Sequence, residues 1–288
     1  SLLMAQLRKL NILWHAGGVR CNSVSKKILL EWKDSGCAQV VYGMESGSDR
    51  ILNVMEKNTT AKENYNVAKW THEAGLKTRY QFVIAMPGET YETINETAQF
   101  AAYALSLDKD RDLKQHLSIN VVFALPGTPI YEYGRCIGKI GSSLDEEEKY
   151  LHECSKNLGD YHNTVNFTDT PYFIWLSWHS VIRAIVYYKY IKKYGINQYY
   201  QDCFPQTMKV GFWAILRKKD YNLLFYFYPR ISYHLRHFLW ILRVRAILRR
   251  HGLAKSLRMF FDALTFLFGL LYVKSSTFKY NALRKIIQ

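Results

Sequence analysis

Three stretches place glycine beside polar or acidic side chains where an apolar run ends. They are Gly43-Met44-Glu45-Ser46-Gly47-Ser48, Ala85-Met86-Pro87-Gly88-Glu89-Thr90 and Leu125-Pro126-Gly127-Thr128-Pro129. Strand ends of this kind gather on one rim of a parallel sheet, where glycine lets a ligand approach the backbone. A Pro-Gly pair can also do no more than end a strand and cap a helix, so one such turn says little. Three in phase point to a common rim that binds a ligand. Other candidates are weaker. The histidines His15, His72, His116, His152, His162 and His179 lack zinc-site spacing. Asp145-Glu146-Glu147-Glu148 reads as a solvated helix start favoured by the helix dipole.

The elements that must carry these turns alternate. A helical stretch runs into a strand from Trp14 to Arg20, followed by a helix that Ser23 is expected to cap and Gly36 to close. Val40 to Met44 predicts the next strand. Ser48 then caps a short helix, and the Thr60-x-x-Glu63 capping box opens another that ends at Ala74-Gly75. Thr78 to Met86 predicts a third strand. Thr90 caps a helix through Ile94, Ala98, Ala101 and Leu105, and Leu117 to Leu125 predicts a fourth strand. Strand and helix alternating in this way is the pattern of parallel βαβ units, either a small open sheet or part of a barrel. Beyond Ile140 the strand signal fades into helix, including a long aromatic segment from Tyr172 to Tyr194 stopped by Gly195.

The 288 residues carry 39 Lys+Arg against 24 Asp+Glu, a net charge of +15. The excess is local. Residues 205–288 hold 16 basic residues against Asp220 and Asp262, whereas residues 1–204 hold 23 against 22. The first two-thirds is thus balanced like an ordinary globular domain, and the last third is a basic appendage. Cys21, Cys37, Cys136, Cys154 and Cys203 are widely spaced and form no C-x-x-C, so neither a disulfide framework nor a zinc ribbon is indicated. A reducing, cytoplasmic setting is expected.

The stretch from about Trp14 to Ile140 resembles the later part of the radical S-adenosylmethionine (SAM) core, in the branch often fused to a cobalamin-binding domain. The resemblance rests on Arg20, Ser35-Gly36-Cys37, the Gly43 to Ser48 run, Lys57 before Thr60, Ala74-Gly75-Leu76, Met86 to Thr90, and Pro126 to Tyr131. It implies a fold and a cofactor set: a (βα) barrel in which a [4Fe-4S] cluster cleaves SAM to a 5′-deoxyadenosyl radical, with cobalamin a further candidate. By position, Arg20 and Glu45 with Ser46 then face the methionine and ribose parts of SAM. Ala85, Met86 and Pro87 lie beside the adenosine, and Leu125, Pro126 and Gly127 near the adenine. Ala85 stands where the family commonly has glycine. The family's C-x-x-x-C-x-x-C cluster motif has no counterpart in this sequence. Two explanations stay open: a piece of a longer enzyme whose first two strands precede Ser1, or a degenerate relative without radical chemistry.

The expected organisation is therefore α/β: an incomplete (βα) parallel barrel of about four units over residues 1–140, a helical extension over 141–204, and a basic, aromatic-rich helical region over 205–288. Arg236, Arg243 and Arg250 form one stripe on a helix whose remainder is largely apolar, and Met259 to Val273 is too short to span a bilayer. This region fits a helix lying on the inner face of a membrane, or a cap packed on the barrel. Nucleic acid is disfavoured because no binding motif is present. The expected partner is a small-molecule, lipophilic substrate. The alternative to the enzyme is a non-catalytic peripheral-membrane or scaffold protein built on a remnant barrel.

Overall fold

The computed structural model describes residues 2–108, 116–156, 165–170, 172–195 and 198. The basic region 205–288, with its arginine stripe and expected membrane contact, lies outside the described residues. Among those described, no helix is long and apolar enough to cross a membrane.

Helix α1 (Leu2–Leu10) leads into β1 (Trp14–Val19); then follow a 3-10 turn (Cys21–Ser23), α2 (Lys26–Asp34), β2 (Cys37–Glu45), α3 (Asp49–Val54), α4 (Ala61–Glu73) and β3 (Lys77–Ile84). The chain continues through α5 (Tyr91–Leu105), β4 (Leu117–Val121), α6 (Pro129–Cys136), α7 (Leu144–Lys156) and α8 (Tyr172–Tyr194). The four strands are parallel and lie in chain order, β1-β2-β3-β4. An order that never reverses is that of a singly wound, barrel-type sheet; a doubly wound sheet would turn back at a switch point. The expected incomplete (βα) barrel is therefore observed.

Helix ends follow local chemistry. Ser25, not the expected Ser23, caps α2: its side chain accepts from the Ile28 N–H, while Ser23 donates to the Arg20 carbonyl at 2.7 Å. A 3-10 turn inserted between β1 and α2 moves the helix start by two residues. The Thr60/Glu63 capping box is present on both sides. Helix α4 closes with Gly75 at φ +68, its N–H donating to His72 and that of Leu76 to Thr71, the double bond of a Schellman end.

The sheet has two unlike faces. Along β2 and β3 burial alternates, and Val40, Tyr42, Met44, Tyr80, Phe82 and Ile84 are buried almost completely. Phe100 of α5 packs edge-on to both Tyr80 and Phe82. The opposite face carries Val41, Gly43 and Glu45, then Arg79, Gln81 and Val83, then Ser118 and Asn120, all half-buried or exposed. Side chains of period two thus sort an apolar helix-covered layer from a mixed inner layer. The inner layer holds the site.

By compactness the described residues divide in two: one unit runs to Asp169 and resumes at Ile185, and the other contains Thr170–Ala184. Within the first, the end of α8 is tied to the end of α5, where Lys193 Nζ and Tyr194 Oη both donate to the Ser106 carbonyl at 2.6 Å.

Candidate functional site

The carboxyl ends of the strands enclose a cavity of about 620 Å³. Its wall combines the charged side chains of Arg20, Glu45, Glu56 and Lys57 with the apolar ones of Val83, Met86, Pro87 and Ile130, and with Tyr133.

Glu45 reaches the cavity through an unusual backbone. The β2–β3 register slips between Gly43 and Glu45, a bulge that re-aims the strand end. Glu45 has φ +59, and the Ser46 N–H donates back to the Met44 carbonyl at 2.7 Å, closing a three-residue turn around it. A non-glycine residue in this region costs about 1–3 kcal/mol and persists only when its surroundings hold it. Three neighbours do so. Buried Asn64 of α4 donates to the Met44 carbonyl at 3.2 Å and to that of Ser46 at 3.0 Å. Gly47 lies so close to α5 that an added Cβ would sit 2.7 Å from the Glu96 carbonyl oxygen and from Thr97 Cα. Thr97 Oγ1 accepts from the Gly47 N–H at 3.0 Å.

The ends of β3 and β4 are built differently. In Met86-Pro87-Gly88-Glu89 the Glu89 N–H donates to the Met86 carbonyl at 3.1 Å, and in Leu125-Pro126-Gly127-Thr128 the Thr128 N–H donates to Leu125, also at 3.1 Å. Proline second and glycine at φ +72 or +82 third make both turns of type II. The likeness expected among three strand ends therefore holds for two; the first is a bulge and a tight turn. Glu89 is buried, and its Oε2 accepts from the N–H groups of Ala85 and, at 3.2 Å, Met86. Burial pushes its carboxyl up to about 8, against the downward pull of those N–H groups and of Arg50. Ala85 itself sits at φ +73.

Of the residues singled out in the sequence, Arg20, Glu45, Met86 and Pro87 meet around the one cavity. Ser46 is fully buried, its hydroxyl 3.0 Å from that of Thr97, and does not line it. Ala85 is buried behind Met86, and Leu125, Pro126 and Gly127 stand outside the wall, which takes Pro129, Ile130 and Tyr133 from α6 instead. Lys57 is the residue that sequence reasoning left without a role. Its Nζ lies 2.8 Å from Glu45 Oε1, with the two side chains only 18% and 20% exposed.

The Radical SAM superfamily matches residues 2–101. Among relatives, an uncharacterized methyltransferase of Pyrococcus horikoshii is 32% identical over 124 residues, 43% of this chain and 25% of that protein. A putative methylthiotransferase of Methanocaldococcus jannaschii is 38% identical over 72 residues, 25% of this chain and 16% of that protein. The anaerobic magnesium-protoporphyrin IX monomethyl ester cyclase of Cereibacter sphaeroides is 28% identical over 107 residues, 37% of this chain and 16% of that protein. The matching part of the chain thus spans a quarter or less of the length of these relatives. Among solved structures, the cobalamin-dependent SAM radical enzyme OxsB is matched with a TM-score of 0.41 and 14% identity, over 91% of this chain and 48% of that one.

The radical SAM family uses SAM and a [4Fe-4S] cluster, and the residues present fit the two unequally. For SAM there is a cavity with cationic and anionic groups beside apolar ones, which suits a ligand that has an amino-acid part and a nucleoside part. For the cluster the described residues offer no fit. Cys21 and Cys37 are buried, and burial raises both thiols, the opposite of what a thiolate ligand needs. Among the described residues no group of three His, Cys, Asp or Glu side chains could hold a metal ion.

Proposed function

We propose that this chain supplies the SAM-binding wall of a radical SAM enzyme acting on a small, lipophilic substrate, with cobalamin as a candidate second cofactor. The observation that carries this reading is a cavity at the carboxyl ends of parallel strands, where Arg20, Glu45 and Lys57 oppose Val83, Met86, Pro87 and Ile130. Arg20 would pair with the ligand's carboxylate, and Glu45 would accept from its ammonium or ribose hydroxyls. Met86 and Pro87 would pack against the adenosine, their backbone shaped by the type II turn. These residues bind and orient; cluster chemistry is not among their tasks. The relatives named methyltransferase, methylthiotransferase and cyclase support radical SAM chemistry in general and leave the transformation open.

A second reading is favoured by the buried Cys21 and Cys37: a non-catalytic protein on a remnant barrel. Calorimetric titration of the 288-residue chain with SAM separates the two. Saturable binding, weakened about tenfold or more by Glu45→Ala through loss of a charge-assisted hydrogen bond, is the expected result. Absence of binding in the folded protein leaves the scaffold reading.

A further inference from the structure

The cavity contains an ion pair, Lys57 with Glu45, whose lysine the reading above gives no task. Lys57 is fixed at both ends. Its backbone closes α3: the Glu56 N–H donates to Asn53 at 3.0 Å and the Lys57 N–H to Leu52 at 3.0 Å, with Glu56 at φ +50, so Lys57 occupies the last position of a Schellman end. The loop beyond it is tied to the 3-10 turn that follows β1, where Asn22 Nδ2 donates to the Asn58 carbonyl at 2.9 Å. The side chain then crosses to Glu45, whose Oε1 accepts at 2.8 Å. Beneath the pair lies Gly43. Its φ is not positive, so chain geometry does not require glycine there. A Cβ at Gly43 would sit 2.7 Å from Glu45 Oε1 and 3.5 Å from Lys57 Nζ, so a side chain there would push the carboxylate out of its present place. The missing side chain is a shelf on which the carboxylate and the ammonium rest.

We infer that Lys57 is a positioning residue, which holds the Glu45 carboxylate over the Gly43 shelf by one oxygen and leaves Oε2 to accept from a vicinal diol on the ligand. This deepens the adenosyl reading and rests on it. An unrestrained glutamate on a strained turn would lose side-chain entropy on binding and would lie in several rotamers. One held by a fixed ammonium has met that cost beforehand, so the gain appears as discrimination for the diol. Without such an anchor Glu45 holds no oxygen in place for the diol, and ligands with and without the hydroxyl bind alike.

The test is calorimetry on the full chain with 5′-methylthioadenosine and its 2′-deoxy counterpart, urea unfolding being run alongside. The native protein should prefer the diol by about tenfold or more, the weight of a hydrogen bond to a charged group. Lys57→Met should bring the ratio close to one, Lys57→Arg should restore most of it, and Gly43→Ala should lower it with Lys57 still in place. Unchanged discrimination in folded Lys57→Met, or an equal loss for both ligands, overturns the positioning role while the adenosyl reading stands. If the native chain binds neither nucleoside, the adenosyl reading falls and this inference with it.

Discussion

The ends of β2 and β3 meet the same difficulty in opposite ways. Each places a non-glycine residue in the left-handed region, Glu45 at φ +59 and Ala85 at φ +73. At β2 the strained residue carries the side chain that enters the cavity, and the support comes from other elements: Asn64 of α4, Thr97 of α5 and Lys57 beyond α3. At β3 the strained residue only shapes the backbone, and the support is local, a carboxyl four residues on that accepts from Ala85 and Met86. Where a side chain is the functional part, the surrounding helices constrain it; where the backbone is, the loop constrains itself. The β2 end should therefore be sensitive to substitutions on distant elements, and the β3 end to Glu89 above all.

The largest effect is expected at Glu89. Glu89→Ala leaves the Ala85 and Met86 N–H groups without their acceptor in a buried place, at about 1–3 kcal/mol for each, measurable by urea unfolding. The same residue should govern pH dependence. Its folded value of about 8 lies above the unfolded one near 4.5, so the folded state holds the extra proton between them. The stability it contributes is then fully present below about 4.5 and lost as pH rises through about 8. Glu89→Gln, which keeps an acceptor and cannot ionise, should flatten that decline between pH 5 and 8. A native protein whose stability is level over this window would show that Glu89 takes up no proton on folding.

Asn64 is the corresponding probe of the β2 end and should weigh somewhat less. Asn64→Ala removes two buried donors from the Met44 and Ser46 carbonyls, costing about 1–3 kcal/mol in all, since carbonyls tolerate a missing partner better than N–H groups do. The effect on binding should exceed that of Glu89→Gln, because the turn that Asn64 braces aims Glu45 into the cavity. Equal binding losses from the two variants would erase the distinction between remote and local support.

The frame of this site was legible in residue types with local consequences. Gly36, Gly75 and Gly195, the Thr60/Glu63 box and the two Pro-Gly turns each impose one backbone geometry, and the structure has them where they were read. What escaped was anything set by register or by separation along the chain. Ser46 keeps the parity of Tyr42 and Met44 along the strand, so it faces Thr97 of α5 and turns away from the cavity. Lys57 meets Glu45 across 12 residues only because α3 ends as it does, and no pattern in the sequence announces the pair. Gly43 held a clue, a glycine in a strand interior, which marks a bulge or a close approach. The fourth strand is shorter than its apolar run, stopping at Val121, because the run continues into the turn that leads to α6.

The smallest expected effect is also the most direct measure of how the β3 end bears its strain. Ala85 is buried and has the φ that glycine adopts freely, so its methyl group adds steric cost and adds little that a small residue would not. Ala85→Gly relieves about 1–2 kcal/mol of left-handed strain but returns conformational entropy to the unfolded chain, about 0.4–1 kcal/mol. The net should be a gain of up to about 1 kcal/mol, read as a higher urea midpoint at an unchanged slope. The comparison sharpens when the substitution is repeated in a Glu89→Ala background. If the Glu89 carboxyl is what holds Ala85 in place, the glycine gains more there, and the two changes are non-additive by several tenths of a kcal/mol or more. If they add, the loop holds its shape without Glu89, and the β3 end is supported from outside just as the β2 end is.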